Sequence, residues 1–97
     1  MMRHLLLLLF SLPLVAVAAT YPPVTVDMEL QKVSEHVYYV QGAAGVATDN
    51  EGFISNASAI VTSEGVVVVD ALGSPSLAER FLALLREVTD ASVVMVI

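Results

Sequence analysis

The chain has 97 residues, with 4 Lys+Arg against 10 Asp+Glu for a formal net charge of −6, and no cysteine. So acidic a chain is a poor match for nucleic acid or an anionic membrane surface. The missing cysteines exclude a disulfide framework, a zinc–thiolate site, an iron–sulfur cluster, a bacterial lipid anchor and a cysteine nucleophile, and the length allows one domain at most.

Arg3-His4 gives a short basic start, and an apolar run follows from Leu5 to Val17. Ala16-Val17-Ala18-Ala19 supplies small residues at A-x-A spacing, so residues 1–19 read as a secretory signal peptide cut after Ala18 or Ala19. The rival is an uncleaved anchor. Leu5 to Ala19 spans about 22 Å as a helix, against a hydrocarbon core of roughly 30 Å, and Pro13 interrupts it. Export to the periplasm or medium is therefore expected, with no stable membrane span after cleavage. Setting the leader aside lowers the hydrophobic content from 57% to roughly 51%, which is ordinary for a globular domain.

Residues 20–29 contain Tyr21-Pro22-Pro23-Val24-Thr25 and read as an extended arm, because each proline fixes φ and lacks an N–H donor. Leu30 to Val33 and Val37 to Gln41 are short β-type runs joined by the turn Ser34-Glu35-His36. Gly42 to Gly52 is a loop. Ala57 to Thr62 is a strand, Ser63-Glu64-Gly65 a turn, and Val66 to Val69 a second strand. Four successive valines suggest cover on both faces.

A helix follows, with Ser74 capping ahead of Pro75, or alternatively Ser76 and Glu79 forming a capping box. Leu77, Phe81, Leu84, Leu85 and Val88 trace its apolar face. Val93 to Ile97 then reads as another buried strand, making Val66 to Ile97 a βαβ unit with parallel strands and a right-handed crossover. Ile97 falls inside that strand without a turn, cap or polar tail. The chain therefore reads as the front piece of a larger protein.

Few residues here carry chemistry. His36 is the one histidine after the leader, and a catalytic zinc site normally takes three protein ligands. A polar turn residue beside Glu35 is the simpler account of it. There is no G-x-S-x-G elbow or S-x-x-K pair to activate a serine. Gly42-Ala43-Ala44-Gly45 is not followed by Lys-Ser or Lys-Thr, so it does not form a phosphate cradle. Asp49-Asn50-Glu51-Gly52 lacks the alternating acids and distal Glu of a calcium loop. Asn56-Ala57-Ser58 matches the glycosylation triplet, but at the start of a strand. Asp70 stands at the carboxyl end of Val66 to Val69, where α/β sheets place functional groups. It also suits a turn, accepting backbone hydrogen bonds from Leu72 or Gly73. Both readings of Asp70 stay open.

The order of these segments resembles a known family. Leu30 to Gly42, with Gln31-Lys32-Val33-Ser34-Glu35-His36-Val37-Tyr38-Tyr39-Val40-Gln41 inside it, resembles the opening hairpin of the metallo-β-lactamase fold. Asn56 to Gly73 resembles the next hairpin, which ends in the family's first motif, an Asp after a hydrophobic strand. The helix and a strand like Val93 to Ile97 match in order, and with the leader the chain looks closest to exported members such as quinoprotein relay zinc metallohydrolases.

The resemblance implies an α/β architecture of the layered α+β kind, the amino-terminal half of an αββα sandwich, over residues 30–97. In that family the zinc-binding His-x-His-x-Asp-His motif follows the strand matching Val93 to Ile97, so it implies no metal ligand in this chain. It assigns Asp70 a supporting role, orienting a metal ligand. It also makes Gly42 to Ser55 a substrate-side loop, with Phe53, its one aromatic residue, expected to pack on substrate.

The family's members are zinc hydrolases of small-molecule substrates, so zinc is expected in the complete protein and no activity in these 97 residues alone. Two other readings stand beside this one. The first is a small, non-catalytic, exported β-rich domain that binds a partner through a sheet face or edge. The second is an aggregating truncation product, since Val66 to Val69 and Val93 to Ile97 are charge-poor and β-prone.

Overall fold

Turn chemistry and short apolar runs set four strands in two successive hairpins. The computed structural model describes Ser11, Pro13 and residues 20–46 and 49–97; the leader expected over 1–19 lies, those two residues apart, outside that range. Strand β1 (Gln31–Ser34) pairs antiparallel with β2 (Val37–Val40) across Glu35-His36. Strand β3 (Ala57–Thr62) pairs antiparallel with β4 (Gly65–Val69), in register from Ser58↔Val69 to Thr62↔Gly65. The turn between them is fastened by Thr62, whose hydroxyl donates to the Gly65 carbonyl at 2.6 Å and accepts from Glu64 N–H at 3.2 Å. Gly65 itself stands at φ 136°. A β-carbon there would lie 2.8 Å from the Ser92 carbonyl oxygen, so only glycine fits without a backbone shift.

Helix α1 covers Pro75–Arg86. Ser74 caps it, its hydroxyl accepting from Leu77 N–H at 3.2 Å with Pro75 in the first turn. The Ser76–Glu79 capping box is therefore not the one used. Proline at the first position costs nothing, because that N–H has no partner within the helix. Arg86 in the last turn complements the helix dipole. The helix closes at Glu87, so Val88, expected on the apolar face, falls beyond it and is 44% exposed.

Strand β5 (Val93–Val96) runs parallel to β4, with Val66↔Val93 and Val68↔Val96 paired across one irregularity in register. The result is a mixed five-stranded sheet in the order β1-β2-β3-β4-β5 with one helix, an α+β arrangement.

Register fixes which side chains share a face. Val40, Ala57, Ala59, Val66 and Val68 point to the side of α1 and are buried with Leu77, Phe81 and Leu85. Met28 of the arm completes this core, and Val24, Val26 and Leu30 pack against it. Each large apolar side chain so buried contributes roughly 1.5–3 kcal/mol.

Two expectations need correction. The valine strand is not covered on both faces: Val66 and Val68 are buried, Val67 is half-buried and Val69 is exposed. The last strand is not buried either. All four residues of β5 are exposed, because β4 is its one neighbour among the described residues and α1 leaves it partly uncovered.

Candidate functional site

The carboxyl end of β4 carries two of the three non-glycine residues with positive φ among the described residues. Asp70 stands at φ 69° and Leu72 at φ 65°, both left-handed. Aspartate tolerates that region because its short side chain can bond locally, whereas leucine does so only at a cost. Here Asp70 Oδ1 accepts from Leu72 N–H at 2.8 Å and closes the turn. The neighbouring strand end is tied to the same residue. Ile97 N–H donates to the Val68 carbonyl at 2.8 Å, and Asp70 N–H donates to the Ile97 carbonyl at 2.9 Å. Asp70 is exposed, at the common carboxyl end of the two parallel strands. An open, mainly apolar cleft between α1 and β5 reaches Ala71 beside it, with Phe81, Leu82, Val93 and Val96 in its walls and Arg86 at its side.

The loop between β2 and β3 adjoins this turn. A β-carbon on Gly73 would lie 3.5 Å from the Gly52 carbonyl oxygen. The loop is pinned internally: Gly42 N–H donates to Asn56 Oδ1 at 3.0 Å, Ala43 N–H to the Phe53 carbonyl at 3.0 Å, and Asn50 Nδ2 to that same carbonyl. Gly42 passes so close to Ser55 that a β-carbon would meet its carbonyl oxygen at 2.5 Å. These bonds turn Phe53 inward. It is 3% exposed and belongs to the core, so the residue expected to face substrate packs under the loop instead. Asn56 of the glycosylation triplet is exposed, with its amide oxygen already engaged by Gly42.

His36 sits at the opposite end of the sheet. Its carbonyl accepts from Val61 N–H at 2.8 Å, next to the β3–β4 turn. Four strand residues separate that level from Asp70, about 13 Å at the usual rise. The structure does not bring His36 to Asp70. Among the described residues no three His, Cys, Asp or Glu side chains gather as a potential metal cluster, and no helix is long and apolar enough to cross a membrane.

In the sequence Glu51 stood out only within a segment unlike a calcium loop and Thr25 only within the extended arm; the contact between them was missed. Glu51 accepts from the backbone of Thr25 and Val26 and from the Thr25 hydroxyl, fixing the arm to the loop. No local pattern marks a contact spanning 25 residues. The only hint was an acid beside a glycine in a turn. No protein-family model matches this chain, and no curated protein matches it.

Proposed function

We propose that this chain is the amino-terminal part of an exported, zinc-dependent hydrolase of the metallo-β-lactamase fold, acting on a small-molecule substrate. The observation that carries this reading is the hydrogen bond from Asp70 N–H to the Ile97 carbonyl. It sets the turn at Asp70 against the end of β5, so residues following Ile97 would emerge beside the Asp70 carboxylate. The left-handed backbone at Asp70 and Leu72 adds to it, since strained turns cluster at functional sites. The uncovered face of the sheet also suits the first half of a layered sandwich.

The residues present do not make a metal site by themselves, and no chemical step is assigned to them. In this reading Asp70 is a positioning residue: its free carboxylate oxygen holds a ligand supplied from beyond Ile97. Export rests on the leader composition alone.

The test starts with the coding sequence after Ile97, where a His-x-His-x-Asp-His motif is expected. Zinc titration of the complete protein then follows. Asp70→Asn should lower zinc affinity about 10–100-fold, with the fold retained. A continuation without histidines, or unchanged zinc affinity in the variant, would remove this reading.

The exposure of β5, 57% at both Val94 and Val96, favours a second reading as a non-catalytic exported domain. Such an edge pairs readily with another strand. A stop codon directly after Ile97 would favour it.

A further inference from the structure

Glu51 gathers every hydrogen-bond donor of two successive residues in a segment far away in sequence. Its Oε2 accepts from the N–H groups of Thr25 at 2.9 Å and Val26 at 3.0 Å. Its Oε1 accepts from the Thr25 hydroxyl at 2.6 Å and from Thr25 N–H at 3.2 Å. The backbone of Glu51 stands at φ 62°, followed by Gly52 at 86°. Glutamate is a poor choice for a left-handed position, where glycine or asparagine sits with less strain. Its side chain offers what they cannot, a charged acceptor long enough to reach the arm. Charge-assisted hydrogen bonds of this kind are stronger than neutral ones. On its other side the arm is held by packing, with Val24 and Val26 against the core and Met28 buried.

We infer that Glu51 is a latch that fastens arm residues 24–26 across the loop 49–53, and that protonating its carboxyl releases them. This inference does not depend on the hydrolase reading. Hydrogen bonds, the Thr25 hydroxyl first and the Val26 N–H next, hold the Glu51 carboxyl below its ordinary range, against a smaller opposing effect of burial. The latch is therefore fully closed above the unfolded value for glutamate and is lost as pH falls through the lower folded value. Asp27 on the arm and Asp49 on the loop are the acids nearest in sequence to the two ends of this contact. Glu79 and Arg80 of α1 line the groove against Tyr21, Pro23 and Val24. Among the described residues the one ion pair is Lys32–Glu35, so no cation competes for Glu51. Once open, the arm would pivot at buried Met28, while Phe53 keeps the loop on the core.

Amide hydrogen exchange read residue by residue tests this in the wild-type chain, Glu51→Gln and Thr25→Val. At neutral pH, Thr25 and Val26 should exchange severalfold faster in Glu51→Gln, with β3 and β4 unchanged. Thr25→Val, which loses only the hydroxyl, should show a smaller increase at Val26. After correction for intrinsic rates, wild type should converge on Glu51→Gln only at acid pH. Equal protection of Thr25 and Val26 in wild type and Glu51→Gln at neutral pH would overturn the latch. So would a loss of protection spread evenly over β3 and β4, which would make Glu51 a global stabiliser instead.

Discussion

The two faces of the sheet use nearly the same residues and meet different environments. On the α1 side Val66 and Val68 are 1% and 4% exposed, whereas on the other side Ile60 and Val69 are 37% and 38% exposed. Register makes the second set a continuous face: Ile60 pairs with Val67, and Val67 with Met95. Neither hydrophobicity nor β-propensity separates the two. The separating factor is one amphipathic helix, which has a single apolar stripe and so covers a single face. Among the described residues the folded core is therefore a two-layer structure, with the second face left exposed.

The difference between the faces should be felt most when the helix loses its central anchor. Phe81 is 2% exposed and packs in the core beneath α1. Phe81→Ala should destabilise the chain by about 3–5 kcal/mol, read by urea unfolding. Ile60→Thr, on the uncovered face, should cost less than about 1 kcal/mol. Similar losses for both would mean that the second face is covered in solution, for instance by self-association, which sedimentation of the same samples would show.

This contrast also marks what the sequence could reveal. The β3–β4 hairpin was legible because Ser63-Glu64-Gly65 punctuates two apolar runs. The helix was legible from Ser74-Pro75 and the spacing of Leu77, Phe81 and Leu85. Face assignment was not, since an unbroken valine run carries no alternation to show which side is buried. For the same reason Val93 to Ile97 looked like a core strand, although its exposure depends on what lies beside it. Phe53 was visible as a large apolar residue, but its direction is set by the bonds of Asn50 and Ala43 to its carbonyl. At the candidate site Asp70 could be found from its place after a strand, whereas its contact with Ile97 is a product of the parallel pairing.

The junction of the two parallel strands is tested by a further variant. Gly65→Ala sets a side chain at φ 136° and brings it to 2.8 Å from the Ser92 carbonyl oxygen, a backbone atom that cannot rotate away. The expected cost is roughly 1–3 kcal/mol. It should fall unevenly: Val66 N–H donates to the same Ser92 carbonyl, so β5 should lose amide protection before the β2–β3 pair does. Uniform loss across the sheet would show that β5 is integral to the core despite its exposure.

The smallest effect belongs to Asp70, and its smallness is what makes the residue useful. Its turn needs two things, tolerance of φ 69° and an acceptor for Leu72 N–H. Asparagine supplies both, with a low cost in the left-handed region and an amide oxygen in the same place. Asp70→Asn should therefore shift stability by no more than about 0.5 kcal/mol, within the range of ordinary surface changes. Alanine supplies neither, and Asp70→Ala should cost about 1–2 kcal/mol from the left-handed backbone alone. Thermal unfolding of the two variants side by side separates the turn from the charge. With asparagine neutral and alanine costly, a loss of zinc affinity in Asp70→Asn, as the proposed hydrolase reading requires, would report the carboxylate itself, because the turn beneath it is intact. With asparagine as costly as alanine, the negative charge would already be needed to hold the end of β4 against β5, and a fall in zinc affinity would no longer distinguish a positioning residue from a structural one.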